Sequence, residues 1–266
     1  MSGERTPVDR RNKNAQCFPG LRDPSALLFF FTAPSAADEK PDGSNWPEIC
    51  WSGSDEGRYL ALSFDDGPTP DTAELLAILD ELDVRATFFV CGEYCDWRPE
   101  LLRAIADAGH EIGNHTYHHP NMTRLEDGSI AEELESTNRT IKALTGIIPH
   151  LFRPPGGSYD SRVVDAVYSH EMTTVIWSVC CDDYRNPPAS RIVNCVTSRA
   201  GSGSIVLLHD GKSHTREALP EIVNTLRSEG YEFVTIGELI EMTYGPCPWQ
   251  GKDTMYEEFP ELHGVF

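Results

Sequence analysis

The sequence predicts an α/β fold of parallel strands joined by helices, either closed into a barrel or wound as an open sheet. Three observations predict it. Short apolar runs alternate with helical patterns from Arg58 to Met242. Those runs lack polar alternation, as suits strands buried on both faces. The residues that carry reactive side chains stand just beyond the strand ends, which in a parallel β/α architecture share one face.

The elements follow in order. Tyr59–Phe64 reads as a buried strand, stopped by Gly67-Pro68. A helix is predicted from Pro70, with Thr69 as N-cap and an apolar face of Leu75, Leu76, Leu79 and Leu82. Ala86–Val90 is β-rich. A second helix runs from Pro99 to Gly109, a glycine suited to a C-terminal cap. A weaker strand, Glu111–Asn114, precedes a helix opened by capping-box spacing at Ser129–Glu132 and ended by Gly146. His150–Phe152 and Thr173–Val179 read as strands, separated by a helix over Ser161–His170. A helix over Pro188–Arg199, the strand Ser204–Leu208, a helix over Thr215–Ser228, the strand Tyr231–Ile236 and a last helix from Gly237 complete seven strands. Alternation of this kind implies right-handed crossovers.

The ends differ from this region. Residues 1–56 read as a signal-like segment and a flexible linker, 57–243 as one patterned domain, and 244–266 as a surface tail. Ala26–Phe31 is an apolar run preceded by Arg10, Arg11, Lys13 and Arg22 and followed by Ala33-Pro34-Ser35-Ala36-Ala37. That pattern predicts a secretory signal, hence a secreted or cell-envelope protein, or a cytoplasmic one if the segment is no signal. No segment is long and apolar enough for a membrane span. A formal charge of −20 argues against nucleic acid as partner; a monomer is expected. The eight cysteines match no zinc-finger spacing. Cys50 and Cys247 flank the patterned region, so a disulfide between them and buried reduced thiols stand as equal alternatives.

The chemistry concentrates at the strand ends. Asp65 and Asp66 are adjacent, and on an extended chain they point to opposite sides, serving different partners. The plain alternative is a helix cap. His115 and His119 stand four apart; one helical turn brings them together around a metal ion. Adding a carboxylate gives two His and one acid, the catalytic pattern for zinc, with cobalt, manganese or nickel as alternatives. Arg153 with Pro154–Gly157, then Asp182-Asp183-Tyr184, then His209-Asp210 follow later strands.

Taken together, Ser63–Pro68, His115–Pro120, Arg153–Gly157, Asp183-Tyr184 and Leu207–Asp210 resemble the five ordered motifs of the polysaccharide deacetylases, carbohydrate esterase family four. The resemblance implies a distorted (β/α)₇ barrel. It implies hydrolysis of N-acetyl groups on a GlcNAc-containing polysaccharide such as peptidoglycan or chitin. The alternatives are xylan O-acetyl groups, a non-sugar amide, or a catalytically impaired glycan-binding protein. It implies that Asp66, His115 and His119 ligate the metal, that Asp65 is the base, and that His209 is the acid oriented by Asp183. Arg85 matches a position that pairs with the base, and Arg153 would hold the loop and the local carboxylates. The Gly156 N–H would serve the oxyanion, and Tyr184 and Leu207 would line the acetyl-methyl pocket. Three departures stand out: Cys180 where an acid is common, Tyr184 for Trp, and Gly156 where many members carry an aromatic residue.

Overall fold

The computed structural model describes residues 45–251. The signal-like segment and the end of the tail lie outside these. Two short strands open and close the strand list: β1 (Ile49–Cys50) and β9 (Glu232–Phe233). Between them come β2 (Tyr59–Gly67), β3 (Thr87–Val90), β4 (Glu111–Asn114), β5 (Leu151–Phe152), β6 (Thr173–Val175), β7 (Val179–Cys180) and β8 (Ile205–His209). All the strand pairings are parallel, in the order β1-β6-β5-β4-β3-β2-β8-β7, with β9 also on β2. Thr173–Cys180 is one stretch of chain whose first half pairs with β5 and whose second half pairs with β8. That shared stretch joins the two halves of the path and curls it into the distorted barrel.

The helices are α1 (Thr72–Glu81), α2 (Gly92–Trp97), α3 (Pro99–Asp107), α4 (Asp127–Thr145), α5 (Ser161–Ser169), α6 (Ala189–Arg199), α7 (Ser213–Ser228) and α8 (Ile236–Tyr244). They pack apolar faces onto the strands. Leu75 and Leu79 of α1, Leu102 and Ile105 of α3, and Leu219, Ile222 and Leu226 of α7 join Leu60, Leu62, Phe64, Phe88 and Val206 in one core. The Phe64 and Phe88 rings lie 5.3 Å apart. Burial of such side chains contributes about 1.5–3 kcal/mol each, and supplies the rigidity that holds the strand ends in register.

Several elements differ from expectation, each for a local reason. The 45–56 stretch is not linker: Trp46 and Cys50 are buried, and β1 pairs with β6. Cys50 and Cys247 are not joined; burial pushes the Cys50 thiol up to about 12. The disulfide among the described residues is Cys181–Cys195, which ties the end of β7 to α6. Thr69 does not cap α1 directly. Its Oγ1 accepts from Asp71 N–H and donates to Asp210, while Thr69 N–H donates to Thr72 Oγ1, so the helix begins at Thr72. The Ser129 capping box is absent because α4 starts three residues earlier, with Glu126 at the N-cap. A capping box does form at Thr235 and Glu238, opening α8. The short α2 has no apolar periodicity long enough to be read from sequence.

Candidate active site

The first Asp–Asp stretch departs from strand geometry. The β2/β3 register shifts between Phe64 and Gly67, and Asp66 takes φ +66°. A bulge of this kind re-aims side chains. The two carboxylates therefore do not point to opposite sides as alternation predicts. Both reach His115: its Nε2 lies 3.8 Å from Asp65 Oδ2 and 3.5 Å from Asp66 Oδ1. They nevertheless divide their other partners. Asp66 Oδ1 lies 3.2 Å from His119 Nε2, and Asp65 Oδ1 accepts from Arg153 Nη1 at 2.7 Å.

His115 and His119 meet without a helical turn. Residues 115–119 form a loop in which Thr116 and His119 have φ of +68° and +59°. Left-handed conformations are uncommon for such residues and persist where surroundings over-determine them. Here the fixing bonds are visible. Asn114 Oδ1 accepts from Thr116 N–H at 2.8 Å, and Thr116 Oγ1 accepts from His119 N–H at 3.0 Å. Glu133 of α4 accepts from the N–H of Tyr117 (2.8 Å) and of His118 (2.9 Å), and bonds His118 Nδ1 at 2.7 Å. Glu133 carries no motif signal in the sequence, because two of its three bonds are to backbone amides and it lies on a helix outside the 115–119 loop. His118 is thereby held outside the Asp66–His115–His119 cluster.

The donor set fits a metal ion. Asp66, His115 and His119 each offer one atom, all within 4.8 Å of one another. A tetrahedral zinc with bonds of about 2.0–2.1 Å separates its ligand atoms by about 3.3 Å, close to the 3.5 and 3.2 Å seen here. The tautomer also fits. His115 Nδ1 lies 2.7 Å from the Arg153 carbonyl oxygen, which can only accept, so Nδ1 carries the proton and Nε2 presents its lone pair. Burial alone would raise the Asp66 carboxyl, but hydrogen bonds and charge from His115 and His119 in their protonated forms outweigh it and hold it well below the usual range. The Asp66 hydrogen bond raises His119 against the opposing effect of its burial.

Arg153 is wholly buried. Nη1 donates to Asp65 Oδ1 and to Ser63 Oγ, Nη2 to the Ile176 carbonyl, and its guanidinium lies 4.1 Å from the Phe89 ring centroid. Its burial lowers its pKa, with the Asp65 charge opposing. This buried pair satisfies Asp65, itself 3% exposed. Arg85 does not pair with Asp65. It is exposed and bonds Glu238 of α8 at 2.5 Å, because it precedes β3 at the opposite end of the strand from the site.

On the far side, His209 Nδ1 lies 2.8 Å from Asp183 Oδ1, and Asp183 Oδ2 accepts from His209 N–H and Thr215 Oγ1, both at 2.8 Å. Asp182 holds φ +52° in the turn, and it is Asp183 that reaches His209. Burial of His209 opposes its charged form, yet the Asp183 bond and the charges of Asp183, Asp65 and Asp66 raise its pKa overall. Asp65 and His209 are register partners across β2 and β8, which sets them side by side. Tyr184 is exposed, its ring 5.8 Å from the His209 ring. Leu207 lies two residues before His209 on β8, on the same strand face, and is buried. Gly156 sits at φ +61° in the Pro155–Gly157 turn, and a Cβ there would meet nothing within 4 Å. Asp210 is structural: it accepts from Thr69, Thr72 and Gly211, tying β8 to the start of α1.

Comparison with known proteins supports the same assignment. The polysaccharide deacetylase family profile matches residues 52–175. A peptidoglycan-N-acetylglucosamine deacetylase of Bacillus cereus is 36% identical over 198 residues, covering 72% of this chain and 92% of that protein. The chain spans 53% of another curated relative, an uncharacterised protein of Bacillus subtilis. The crystal structure of the Bc1960 peptidoglycan N-acetylglucosamine deacetylase matches with a TM-score of 0.72 at 31% identity, over 75% of this chain and 95% of that one. A pseudoenzyme of carbohydrate esterase family four from Bacillus anthracis matches with a TM-score of 0.71 at 32% identity, over 74% of this chain and 70% of that one. With its barrel, its ordered motifs and these relatives, the chain belongs to the polysaccharide deacetylases, the hydrolases of carbohydrate esterase family four.

Proposed function

We propose that this protein is a metal-dependent hydrolase that removes N-acetyl groups from a GlcNAc-containing polysaccharide, releasing acetate. The observation that carries the reading is the gathering of Asp66, His115 and His119, the Asp65–Arg153 pair and the His209–Asp183 pair on one end of the barrel. When bound at the Asp66–His115–His119 cluster, a divalent ion, zinc above others, supplies Lewis-acid polarisation of the substrate carbonyl and of the attacking water.

The residues of this chain do the rest. Asp65, held by Arg153, takes a proton from the attacking water as its oxygen bonds the acetyl carbon. The C–N bond then breaks, and His209 delivers its proton to the departing amine nitrogen. Asp183 fixes His209 by one bond to the ring Nδ1 and one to the backbone N–H, leaving Nε2 to face the substrate. The Gly156 N–H donates to the oxygen on which charge develops, and Leu207 and Tyr184 bound the space for the acetyl methyl. General acid and base groups each contribute roughly 10²–10⁴ in rate.

The glycan identity of the relatives supports peptidoglycan or a chitin-like chain as substrate, and a place in the cell envelope or outside the cell. No helix among the described residues is long and apolar enough to cross a membrane. The second reading, a glycan-binding protein with catalysis impaired, is favoured by the pseudoenzyme neighbour and opposed by the intact acid, base and ligand set. Acetate release from chito-oligosaccharides, peptidoglycan and acetylated xylan, with zinc or cobalt supplied, tests the proposal. Release from the GlcNAc polymers is expected. Glycan binding without acetate from any substrate would establish the second reading instead.

A further inference from the structure

We infer that the Cys181–Cys195 disulfide is a positioning device for the acid of the reaction: it anchors the turn that carries Asp183 to α6, and so holds Asp183 on His209. The acid role of His209 rests on the deacetylase reading; the geometry that anchors Asp183 does not.

The chain leaves the sheet just before Asp183. β7 ends at Cys180, the register partner of Leu207 on β8. Asp183–Arg185 then form one 3₁₀ turn. Its backbone bonds, from Arg185 N–H to Asp182 and from Asn186 N–H to Asp183, close on the turn itself. They give it shape but do not attach it. Asp182 and Asn186, which bracket it, hold φ of +52° and +50°. Left-handed conformations at residues with a Cβ persist where the surroundings over-determine them. The turn is therefore held from both sides.

The anchor after the turn is polar. Asn186 Oδ1 accepts from His214 N–H at 3.2 Å, its carbonyl lies 3.0 Å from His214 Nδ1, and its Nδ2 donates to Ser213 Oγ at 3.3 Å. The anchor before the turn is covalent. Cys181, two residues before Asp183, is bonded to Cys195 of α6, with Cα atoms 5.8 Å apart. α6 is fixed to the core in turn through Ile192, Val193 and Val196. Arg199 of the same helix adds a non-covalent tie, Nη1 donating to the Cys180 carbonyl at 3.2 Å, one residue farther from the turn. The disulfide closes residues 181–195 into a ring that contains the whole turn, which limits the conformations open to it.

The anchored carboxylate works to narrow tolerance. Asp183 is 1% exposed and meets three groups at 2.8 Å: His209 N–H, His209 Nδ1 and Thr215 Oγ1. A misplacement of about 1 Å at a reacting site costs up to about 10² in rate. Cys181 and Cys195 touch no reacting atom; they act through Asp183.

The test breaks the bond in two ways in the zinc-loaded full chain. Cys195→Ala removes it without altering the turn. A water-soluble trialkylphosphine reduces it in the folded parent: the S–S bond breaks, the phosphine takes the oxygen of one water to become its oxide, and the two sulfurs take that water's protons. Alkylation and mass spectrometry, locating the label on Cys181 and Cys195, verify the cleavage. The readout is proton NMR of the imidazole N–H groups. The His209 Nδ1–H signal is identified by its loss in His209→Gln. The His115 Nδ1–H signal, whose acceptor is the Arg153 carbonyl, is the internal reference for an intact fold. Cleavage is expected to broaden or abolish the His209 signal, to keep the His115 signal, and to lower acetate release by up to about 10² at unchanged zinc content. The phosphine should change nothing further in Cys195→Ala. Should that variant not fold, the parent reduced after folding carries the test. An unchanged His209 signal after verified cleavage overturns the inference. Loss of both signals together overturns it too, making the bond a general staple of the fold, as does full turnover with the bond gone. The NMR readout needs no turnover. Selective loss of the His209 signal, in a protein that releases no acetate even with the bond intact, would leave the positioning role standing and sink the deacetylase reading alone.

Discussion

Asp65 and Asp66 differ by one position in sequence and by their whole environment in space. The bulge at the end of β2 gives Asp66 the two imidazoles, and Arg153, which follows β5, gives Asp65 the buried guanidinium. Two neighbouring residues are also assigned work by geometry. Glu133 holds three donors of the 115–119 loop, so its loss loosens the left-handed conformations at Thr116 and His119. Partners of this kind typically tune metal affinity by about 10–100-fold. Glu133→Gln is expected to weaken zinc binding within that range in chelator competition, with activity recovering as zinc is added. Asp183 sets the state of His209. The raised pKa carries the imidazolium to higher pH than an ordinary histidine holds it, and acid catalysis by it is expected to be lost as pH rises through that pKa. In Asp183→Asn the supporting charge is gone. The alkaline limb of the kcat/KM profile should then move to lower pH, with turnover falling by about 10².

At the scale of elements, the strand ends carry the site and the strand beginnings carry stability. His110, just before β4, is 7% exposed and its Nδ1 accepts from Ala86 N–H at 3.1 Å. Burial, with the Arg85 charge adding to it, holds the imidazole down at about 4 against an ordinary 6.5. The sign follows from proton binding: below 6.5 the unfolded chain takes up a proton that the folded chain refuses. The contribution is full above 6.5 and is lost as pH falls toward about 4. Thermal denaturation across that window should show a decline of about 2 kcal/mol that is absent in His110→Gln, which keeps an acceptor but does not titrate. Elements also show where sequence reading stopped. The strand and helix order from Arg58 onward was legible because apolar runs and caps are local signals. The splitting of Thr173–Cys180, the pairing of β1 and the short α2 were not, since closure depends on partners far away in sequence.

For the whole molecule, closure of the barrel converts scattered motifs into one site. The likeness of five ordered motifs pointed to the ligand set, the base and the acid, and their convergence on one end of the barrel followed from parallel topology. Three things escaped. Arg85 was expected beside the base, but its position at the start of β3 places it with Glu238 instead, and Arg153 holds Asp65. The His pair was expected on a helical turn and stands in a strained loop. The Cys50–Cys247 link was weighed on sequence flanking alone, whereas the pairing realised is Cys181–Cys195, brought together by α6 packing beside β7. The central claim is the division of labour between two adjacent carboxylates, and one paired measurement tests it most directly. Zinc content and acetate release are measured together in Asp65→Asn and Asp66→Asn. Asp65→Asn should retain one zinc per chain and lose activity by about 10²–10⁴, while Asp66→Asn should lose the metal. Unchanged turnover in Asp65→Asn, or full zinc retention in Asp66→Asn, would contradict it.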